Sequence, residues 1–164
     1  MKPLLILLLS LFTLPANDNG LFTEDVFVKN GDGKEINLKN IEITKDTVMV
    51  FTWSYWCGSC KKYLDSYKAN KRYKNYQIIA VAIVKGDSIK LEKQIADQHQ
   101  WPFEVFYDNK QNVAKFLYKK GYYKFKFKPT QEVGFYGFPN IFMFVKGKFL
   151  CTFCDEYAYP RSKK

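Results

Sequence analysis

Two cysteines three residues apart lie between an apolar run and an amphipathic segment, and this arrangement constrains the fold more than any other feature. The run Thr47–Trp53 is β-branched, apolar and aromatic and too short for a helix, so it predicts a buried strand. After Cys57, the positions of Cys60, Leu64 and Tyr67 repeat at helical intervals, with charged side chains between them. The sequence therefore predicts a strand that leads through a turn into a helix, with both cysteines at the junction.

This junction favours a reactive thiolate. The first N–H groups of a helix have no partners within the helix, and the helix dipole adds partial positive charge there. Cysteines in such a setting can have pKa values of about 3.5 to 7.5, against about 8.5 for a free thiol. We predict thiol-disulfide exchange, with Cys57 as the nucleophile and Cys60 as the resolving thiol. The redox-active disulfide is the only cofactor that we expect, and no metal is expected.

Strands and helices alternate along the rest of the chain. The turn residues 30–33, Asn-Gly-Asp-Gly, lie between two short apolar runs and indicate an amino-terminal hairpin. A nearly unbroken apolar run over 76–84 predicts a parallel strand at the centre of the sheet. A helix is predicted over 87–100, with Leu91 and Ile95 facing inward. Further elements are predicted as a strand over 103–107, a short helix containing Val113, Phe116 and Leu117 that is capped at Gly121, and strands over 140–145 and 149–154. This order predicts an α/β three-layer sandwich.

The amino terminus is typical of a secretory signal peptide. Residues 1–16 contain Lys2, an apolar run and then Ala16, and the run is shorter than the roughly 20 residues of a membrane-spanning helix. We predict a signal peptide over 1–16, a polar linker over 17–24, the domain over 25–154 and a basic tail over 155–164. The protein is thus expected in the periplasm, as a monomer. It would be soluble after cleavage, or attached to the membrane if the segment stays as an anchor.

The formal net charge of +10 predicts only non-specific attraction to anionic partners. Residues 122–128 alternate aromatic and basic side chains, which would suit a nucleic-acid or membrane patch. An edge strand whose lysines discourage aggregation explains the same pattern, and we prefer it. No nucleic-acid partner is therefore expected.

Cys151 and Cys154 form a second C-x-x-C pair. Residues three apart in a regular strand are about 10 Å apart, beyond the roughly 7 Å between Cα atoms that a disulfide allows. The two can pair only if the chain turns after Cys151. A second redox pair that relays electrons, inert thiols and a local disulfide all remain open, as does a zinc site built from all four cysteines.

The segment W-S-Y-W-C-G-S-C-K, residues 53–61, resembles the W-x-x-W-C-G-x-C-K signature of the thioredoxin superfamily. Phe138 and Pro139 open an apolar strand, and Gly147 follows at the spacing of that family's last turn. The amino-terminal hairpin resembles the exported, TlpA-like redoxin branch, which is associated with cytochrome c maturation and periplasmic reduction. The resemblance implies a thioredoxin fold with an added amino-terminal hairpin.

The resemblance also implies roles for individual residues. Pro139 would be the cis-proline beside the cysteines, and Phe138 and Trp53 would contact substrate. The residues that would support the active site are Trp56, Gly58, Ser59, Lys61 and Pro139.

Three departures from the family matter, and the second cysteine pair, Cys151 and Cys154, is one of them. Its buried acids correspond to Phe51 and Tyr63 here, so no obvious side chain accepts a proton from Cys60. Only ten residues follow Cys154, and Pro160 interrupts them, so we expect the closing helix to be missing or reduced.

The function predicted from the sequence is disulfide exchange with exported client proteins, as a reductase or isomerase rather than an oxidase. Electrons would come from a membrane-bound donor, because an exported compartment is kept oxidising. The alternative is a binding module, either a thiolate metal carrier or a chaperone for apocytochrome-like clients. A peroxidase of the peroxiredoxin type is disfavoured, because no P-x-x-x-T-x-x-C pattern surrounds Cys57. His99, the only histidine, is predicted to be a surface or partly packed residue.

Overall fold

The structure is a computed structural model, and it describes residues 20–86, 89–123 and 137–152. Its strands are β1 (Phe27–Lys29), β2 (Glu35–Asn37), β3 (Thr47–Trp53), β4 (Tyr76–Ile83), β5 (Val105–Asp108), β6 (Asn140–Val145) and β7 (Lys148–Thr152). Its helices are α1 (Gly58–Ala69), α2 (Lys90–His99) and α3 (Asn112–Lys119), with short 3-10 turns at Leu38–Asn40 and Lys71–Asn75.

The strands form one mixed sheet in the order β2-β1-β5-β4-β3-β6-β7. β3, β4 and β5 are parallel to one another. The hairpin β1–β2 joins the sheet at β5 and the pair β6–β7 joins it at β3, and all of these pairings are antiparallel. β4 lies at the centre, as its apolar sequence predicts, and its last six residues are buried. The amino-terminal hairpin and the terminal strand pair are likewise confirmed.

Alternate residues of β3 contribute to two hydrophobic cores, because successive side chains of a strand point to opposite faces. Val48 and Val50 pack in the core that α3 covers, together with Leu117. Phe51 packs in the other core, together with Leu64 of α1, and α2 covers the same face. The predicted three-layer α/β sandwich is therefore confirmed.

The helix after the cysteines follows its predicted pattern. α1 begins at Gly58, directly after Cys57, and its buried residues are Cys60, Leu64 and Tyr67. α3 also buries the predicted Val113, Phe116 and Leu117, and Gly121 lies just past its end with a φ of +72°.

The predicted inward face of α2 is wrong at one position. Leu91 is 52% exposed, whereas the neighbouring Glu92 is only 3% exposed. Ile95 and Ala96 are partly buried against the core, so the inward face follows Glu92 at helical spacing. Leu91 lies about 100° around the helix from Glu92 and so falls outside that face.

The predicted linker over 17–24 is wrong in its second half. Leu21 and Phe22 are 4% and 1% exposed, and the Phe22 ring lies 5.2 Å from the ring of Phe116 in α3. The folded part therefore includes residues before position 25, because these two side chains contribute to the core under α3.

Several predictions fall outside the described residues. They concern the signal peptide over 1–16, the strand that includes residues 124–128, Cys154, and the missing closing helix. Within the described ranges, no helix is both long and apolar enough to cross a membrane.

Candidate active site

Cys57 and Cys60 form a disulfide at the amino terminus of α1, with their Cα atoms 5.3 Å apart. The turn before the helix is closed by a hydrogen bond of 3.0 Å from the Cys57 N–H to the Ser54 carbonyl oxygen. Cys57 is 4% exposed and Cys60 is fully buried. Cys57 therefore keeps a small exposed fraction, whereas Cys60 has none.

The Cys57 sulfur lies next to hydrogen-bond donors at the amino terminus of α1, as the sequence predicts. Cys57 is the N-cap of α1, and the backbone N–H of Cys60 donates to its Sγ at 3.2 Å. The hydroxyl of Ser59 also lies 3.5 Å from this sulfur. After reduction, these groups and the helix dipole would stabilise negative charge on Cys57.

Two chain segments meet beside the disulfide. Trp56 is 57% exposed, and its ring contacts that of Phe138 edge to face, with centroids 5.4 Å apart. The peptide bond between Phe138 and Pro139 is cis. The structure thus brings the Phe138–Pro139 segment, distant in sequence, next to the turn that carries Cys57.

A cleft of about 470 Å³ opens at this point, at the carboxyl ends of β3 and β4. Clefts at the carboxyl ends of parallel strands are where α/β sheets commonly bind ligands. The residues that line it include Tyr55, Trp56, Lys85, Leu91, Glu92 and Phe138.

Lys61 and Gly58, two of the predicted support residues, flank the active-site turn in different ways. Lys61 donates from its Nζ to the Tyr55 carbonyl oxygen at 3.1 Å, so it holds the turn before Cys57. Gly58 is exposed, and a Cβ at its position would meet no atom within 4 Å. A small residue is therefore not required sterically at Gly58.

The predicted substrate contact of Trp53 is wrong. This side chain is fully buried, and its ring contacts that of Trp101 edge to face at 5.0 Å. Because Trp53 is the last residue of β3 and points into the core, a bound client cannot reach it. Trp56 is the exposed tryptophan of the motif.

Aromatic rings occupy both positions where the related family has acids. Phe51 is fully buried, and its ring lies 6.5 Å from Tyr63 and 5.9 Å from Tyr67. Both positions are therefore filled by packed aromatic rings, in the same core that contains Cys60.

Two polar residues at the site were missed by sequence reasoning. Asn140 is 3% exposed, and its Nδ2 donates to Thr52 Oγ1 at 3.2 Å and to the Gly137 carbonyl oxygen at 2.8 Å. An asparagine directly after Pro139 at the start of an apolar strand was the available signal. Glu92 is the second residue, and no local signal separated it from the other charged residues of its helix.

Glu92 faces the turn before Cys57. Burial raises the pKa of its carboxyl, while hydrogen bonds from its own N–H and from the N–H of Tyr55 act in the opposite direction. Glu92 is also near Tyr107: burial, followed by the charges of Asp97 and Glu92, raises the pKa of Tyr107 to about 12.

Cys151 lies on β7, opposite Met143, and is half-buried. It is disulfide-bonded. Met143 pairs in turn with Met49, near the other end of β3 from Trp53. Cys151 is therefore two strands away from β3, and it lies level with Met49, four residues before the end of that strand. With the usual spacings between strands and along a strand, Cys151 lies roughly 16 Å from the end of β3 that leads to Cys57.

His99 is partly packed, as predicted, and belongs to a contact between helices. Its Nδ1 lies 2.8 Å from Asp65 Oδ1 of α1, and its ring stacks on that of Trp101. The Trp101 indole N–H donates to the same carboxylate at 2.9 Å. Among the described residues, no three potential ligands are grouped so that they could hold a metal ion, and Cys57 and Cys60 are joined to each other.

Comparisons with known proteins agree with this geometry. The sequence profile of the AhpC/TSA family matches residues 20–124. No curated protein matches the chain.

Solved structures share the fold at low sequence identity. A thioredoxin-like protein from Porphyromonas gingivalis is 19% identical with a TM-score of 0.56, over 79% of this chain and 77% of that one. The thioredoxin domain of a thiol-disulfide oxidoreductase from Bacteroides vulgatus is 17% identical with a TM-score of 0.55, over 82% and 89%. A thiol:disulfide interchange protein from Bacteroides sp. is 18% identical with a TM-score of 0.56, over 84% of each chain.

The family match covers the strand, the turn with the Cys57–Cys60 disulfide and the helix that follows, and the fold is that of thioredoxin-like proteins. The chain therefore belongs to the AhpC/TSA family, and it has the fold of thioredoxin-like proteins.

Proposed function

We propose that this protein exchanges disulfides with exported client proteins, with Cys57 as the attacking thiolate and Cys60 as the resolving thiol. The observation that carries the proposal is the placement of the two cysteines. Cys57 directly follows exposed Trp56, which lines the cleft, and keeps a small exposed fraction, whereas Cys60 is fully buried.

In the reducing direction, the Cys57 thiolate attacks one sulfur of a client disulfide. A Cys57–client disulfide forms, and the other client sulfur leaves as a thiolate that takes up a proton. Cys60 then loses its proton and attacks the Cys57 sulfur, which releases the second client thiolate. The client gains two electrons, and the protein loses two as the Cys57–Cys60 disulfide reforms.

Apolar side chains around the cleft support a protein client. Tyr55, Trp56 and Leu91 are 43%, 57% and 52% exposed, and half-buried Phe138 lines the same cleft with its ring against that of Trp56. Aromatic side chains with one buried and one exposed face are common at binding surfaces. The Phe138–Pro139 segment would present its backbone to an extended client strand, as the family resemblance implies.

The direction and place of the reaction are part of the proposal. The signal-like sequence of residues 1–16 supports export to the periplasm, as a monomer that is either released or anchored at its amino terminus. In an oxidising compartment, a reductase or isomerase needs electrons from a membrane-bound donor. Client proteins of cytochrome c maturation would fit this role.

The test is the equilibrium reduction potential of the Cys57–Cys60 pair, measured against glutathione in metal-free protein. A potential near about −270 mV supports a reductase, whereas one near about −120 mV indicates an oxidant. The same titration on a Cys151→Ser/Cys154→Ser variant tests the second pair, because a shifted potential would implicate it. Stoichiometric zinc or copper binding without a reversible redox couple would overturn the proposal in favour of a metal-binding module.

Trapping identifies the attacking sulfur. A Cys60→Ser variant should accumulate a mixed disulfide with a disulfide-containing client, because the resolving step is lost. The matched Cys57→Ser variant should form none, since Cys60 is buried. Equal adduct yields from the two variants would reverse or remove the assigned roles.

A further inference from the structure

A buried carboxylate lies beside the active-site turn, on a different helix from the cysteines. Glu92 is the third residue of α2 and is 3% exposed, and it lines the same cleft as Trp56 and Phe138. Burying an ionisable carboxyl is costly unless donors compensate for the lost water. Two backbone N–H groups and the amino-terminal end of α2 supply that compensation.

Tyr55 is held from both sides by groups of opposite charge. Its N–H donates to the carboxylate of Glu92, and its carbonyl oxygen accepts from the Nζ of Lys61 at 3.1 Å. We call Glu92, Tyr55 and Lys61 the Tyr55 clamp. Lys61 belongs to α1 and Glu92 to α2, so the clamp joins both helices to the turn that ends at Cys57.

The carboxylate is close enough to act on Cys57 through its charge. Tyr55 precedes Cys57 by two residues, and consecutive Cα atoms are about 3.8 Å apart, so the Glu92 carboxylate bonded to the Tyr55 N–H lies within roughly 15 Å of the Cys57 sulfur. At that range and in a partly enclosed cleft, two like charges repel appreciably. The other charged or titratable groups around Glu92 are Lys61 on α1, Lys85 at the cleft rim, Asp97 on α2 and Tyr107 on β5.

We propose that Glu92 is a positioning residue of the Cys57–Cys60 site, which fixes the Tyr55 peptide with its carboxylate and lowers the reduction potential by disfavouring the Cys57 thiolate. Reduction converts the disulfide into a thiolate and a thiol, so a nearby negative charge favours the oxidised form. The inference rests on the proposed function, because it requires Cys57 to cycle between disulfide and thiolate.

The test equilibrates four proteins with glutathione buffers at pH 7 and measures the reduced fraction by alkylation. They are the native protein, Glu92→Gln, Glu92→Ala and the control Glu104→Gln, whose exposed side chain directly precedes β5 at the opposite end of the sheet. Glutamine keeps an oxygen that can accept from the Tyr55 N–H but removes the charge. We expect its equilibrium constant for reduction to rise by up to about tenfold, which corresponds to about 30 mV. The equilibrium constant for reduction of Glu104→Gln should stay within about twofold of the native value.

Two further readouts separate charge from position. Below the raised pKa of Glu92 the native carboxyl is neutral, so the potentials of the native and Glu92→Gln proteins should converge at low pH and diverge as pH rises. Glu92→Ala loses the acceptor as well, so its kcat/KM for client reduction should fall below that of Glu92→Gln.

A Glu92→Gln constant within twofold of the native value at pH 7 would overturn the inference, even if the variant is less stable. A native protein with no reversible couple would instead overturn the proposed function. The two failures are therefore distinguishable in one experiment.

Discussion

Replacing Asn140 by alanine removes the amide that ties the Phe138–Pro139 loop to β3. Asn140 pairs with Thr52 in the sheet and donates to its hydroxyl and to the Gly137 carbonyl oxygen. In Asn140→Ala, water can replace the donor at exposed Gly137, but the fully buried Thr52 hydroxyl loses this hydrogen bond. An unsatisfied buried polar group costs about 1 to 3 kcal/mol, so we expect the free energy of unfolding to fall by about 2 kcal/mol.

A double-mutant cycle with Thr52→Val isolates that cost. Thr52→Val alone removes one hydrogen bond and leaves the Asn140 amide bonded to Gly137, for a loss of about 1 kcal/mol. The double variant has no unsatisfied hydroxyl, so its loss should be smaller than the sum of the single losses by about 1 kcal/mol. Urea unfolding of the oxidised protein, followed by tryptophan fluorescence, measures all four proteins. Additive losses, or an Asn140→Ala loss below about 0.5 kcal/mol, would refute the reasoning.

The same variant separates loop position from thiol chemistry. Because Asn140 holds the segment that carries Phe138, we expect kcat/KM for a protein client to fall about fivefold in Asn140→Ala. Its equilibrium constant with glutathione should stay within about twofold, since no charge near Cys57 changes.

Three further changes test other parts of the structure. Leu64→Ala, at a fully buried position under α1, should cost about 2 to 5 kcal/mol in urea unfolding, and a loss under about 1 kcal/mol would contradict the assigned packing. Trp56→Ala should raise KM for a protein client several-fold without loss of stability, whereas Leu150→Ala, similarly exposed at 51% on β7, should change neither; equal effects would reject the proposed client surface. Burial raises the pKa values of Glu92 and Asp108, so the folded protein binds protons at these carboxyls more tightly than the unfolded chain does. The protonated carboxyls therefore contribute stability at low pH, and this contribution is lost as pH rises through their pKa values in the folded protein. Glu92→Gln should flatten this decline in denaturant titrations at pH 4 and pH 7, and an unchanged slope would contradict the assignment.

Patterns that depend on neighbouring residues were predictable. Thr47–Trp53 forms a strand over its predicted bounds, and the buried positions of α1 are those predicted from helical spacing. The position of Cys57 at the amino terminus of α1 follows from the same two patterns. The strand ends only a few residues before the helix begins, so a cysteine between them must lie next to the helix start.

Predictions that depend on distant partners were less successful. Leu91 and Glu92 are adjacent in α2, and only the packing of α2 on the sheet determines that the carboxylate faces inward. Trp53 and Trp56 are both tryptophans of one motif, yet one is core and the other surface. Their exposure depends on Trp101 and Phe138, which come from elsewhere in the chain.

The sequence by itself determined the α/β architecture and the identity of the reactive pair, because both follow from periodicity and spacing over a few residues. Tertiary structure alone decided what surrounds that pair. It brought Glu92 to the turn before α1 and Asn140 to Thr52 of β3, and it packed the ring of Phe51 near that of Tyr63. Those contacts join residues far apart in the chain, and their geometry depends on the order of strands in the sheet, which no local pattern encodes.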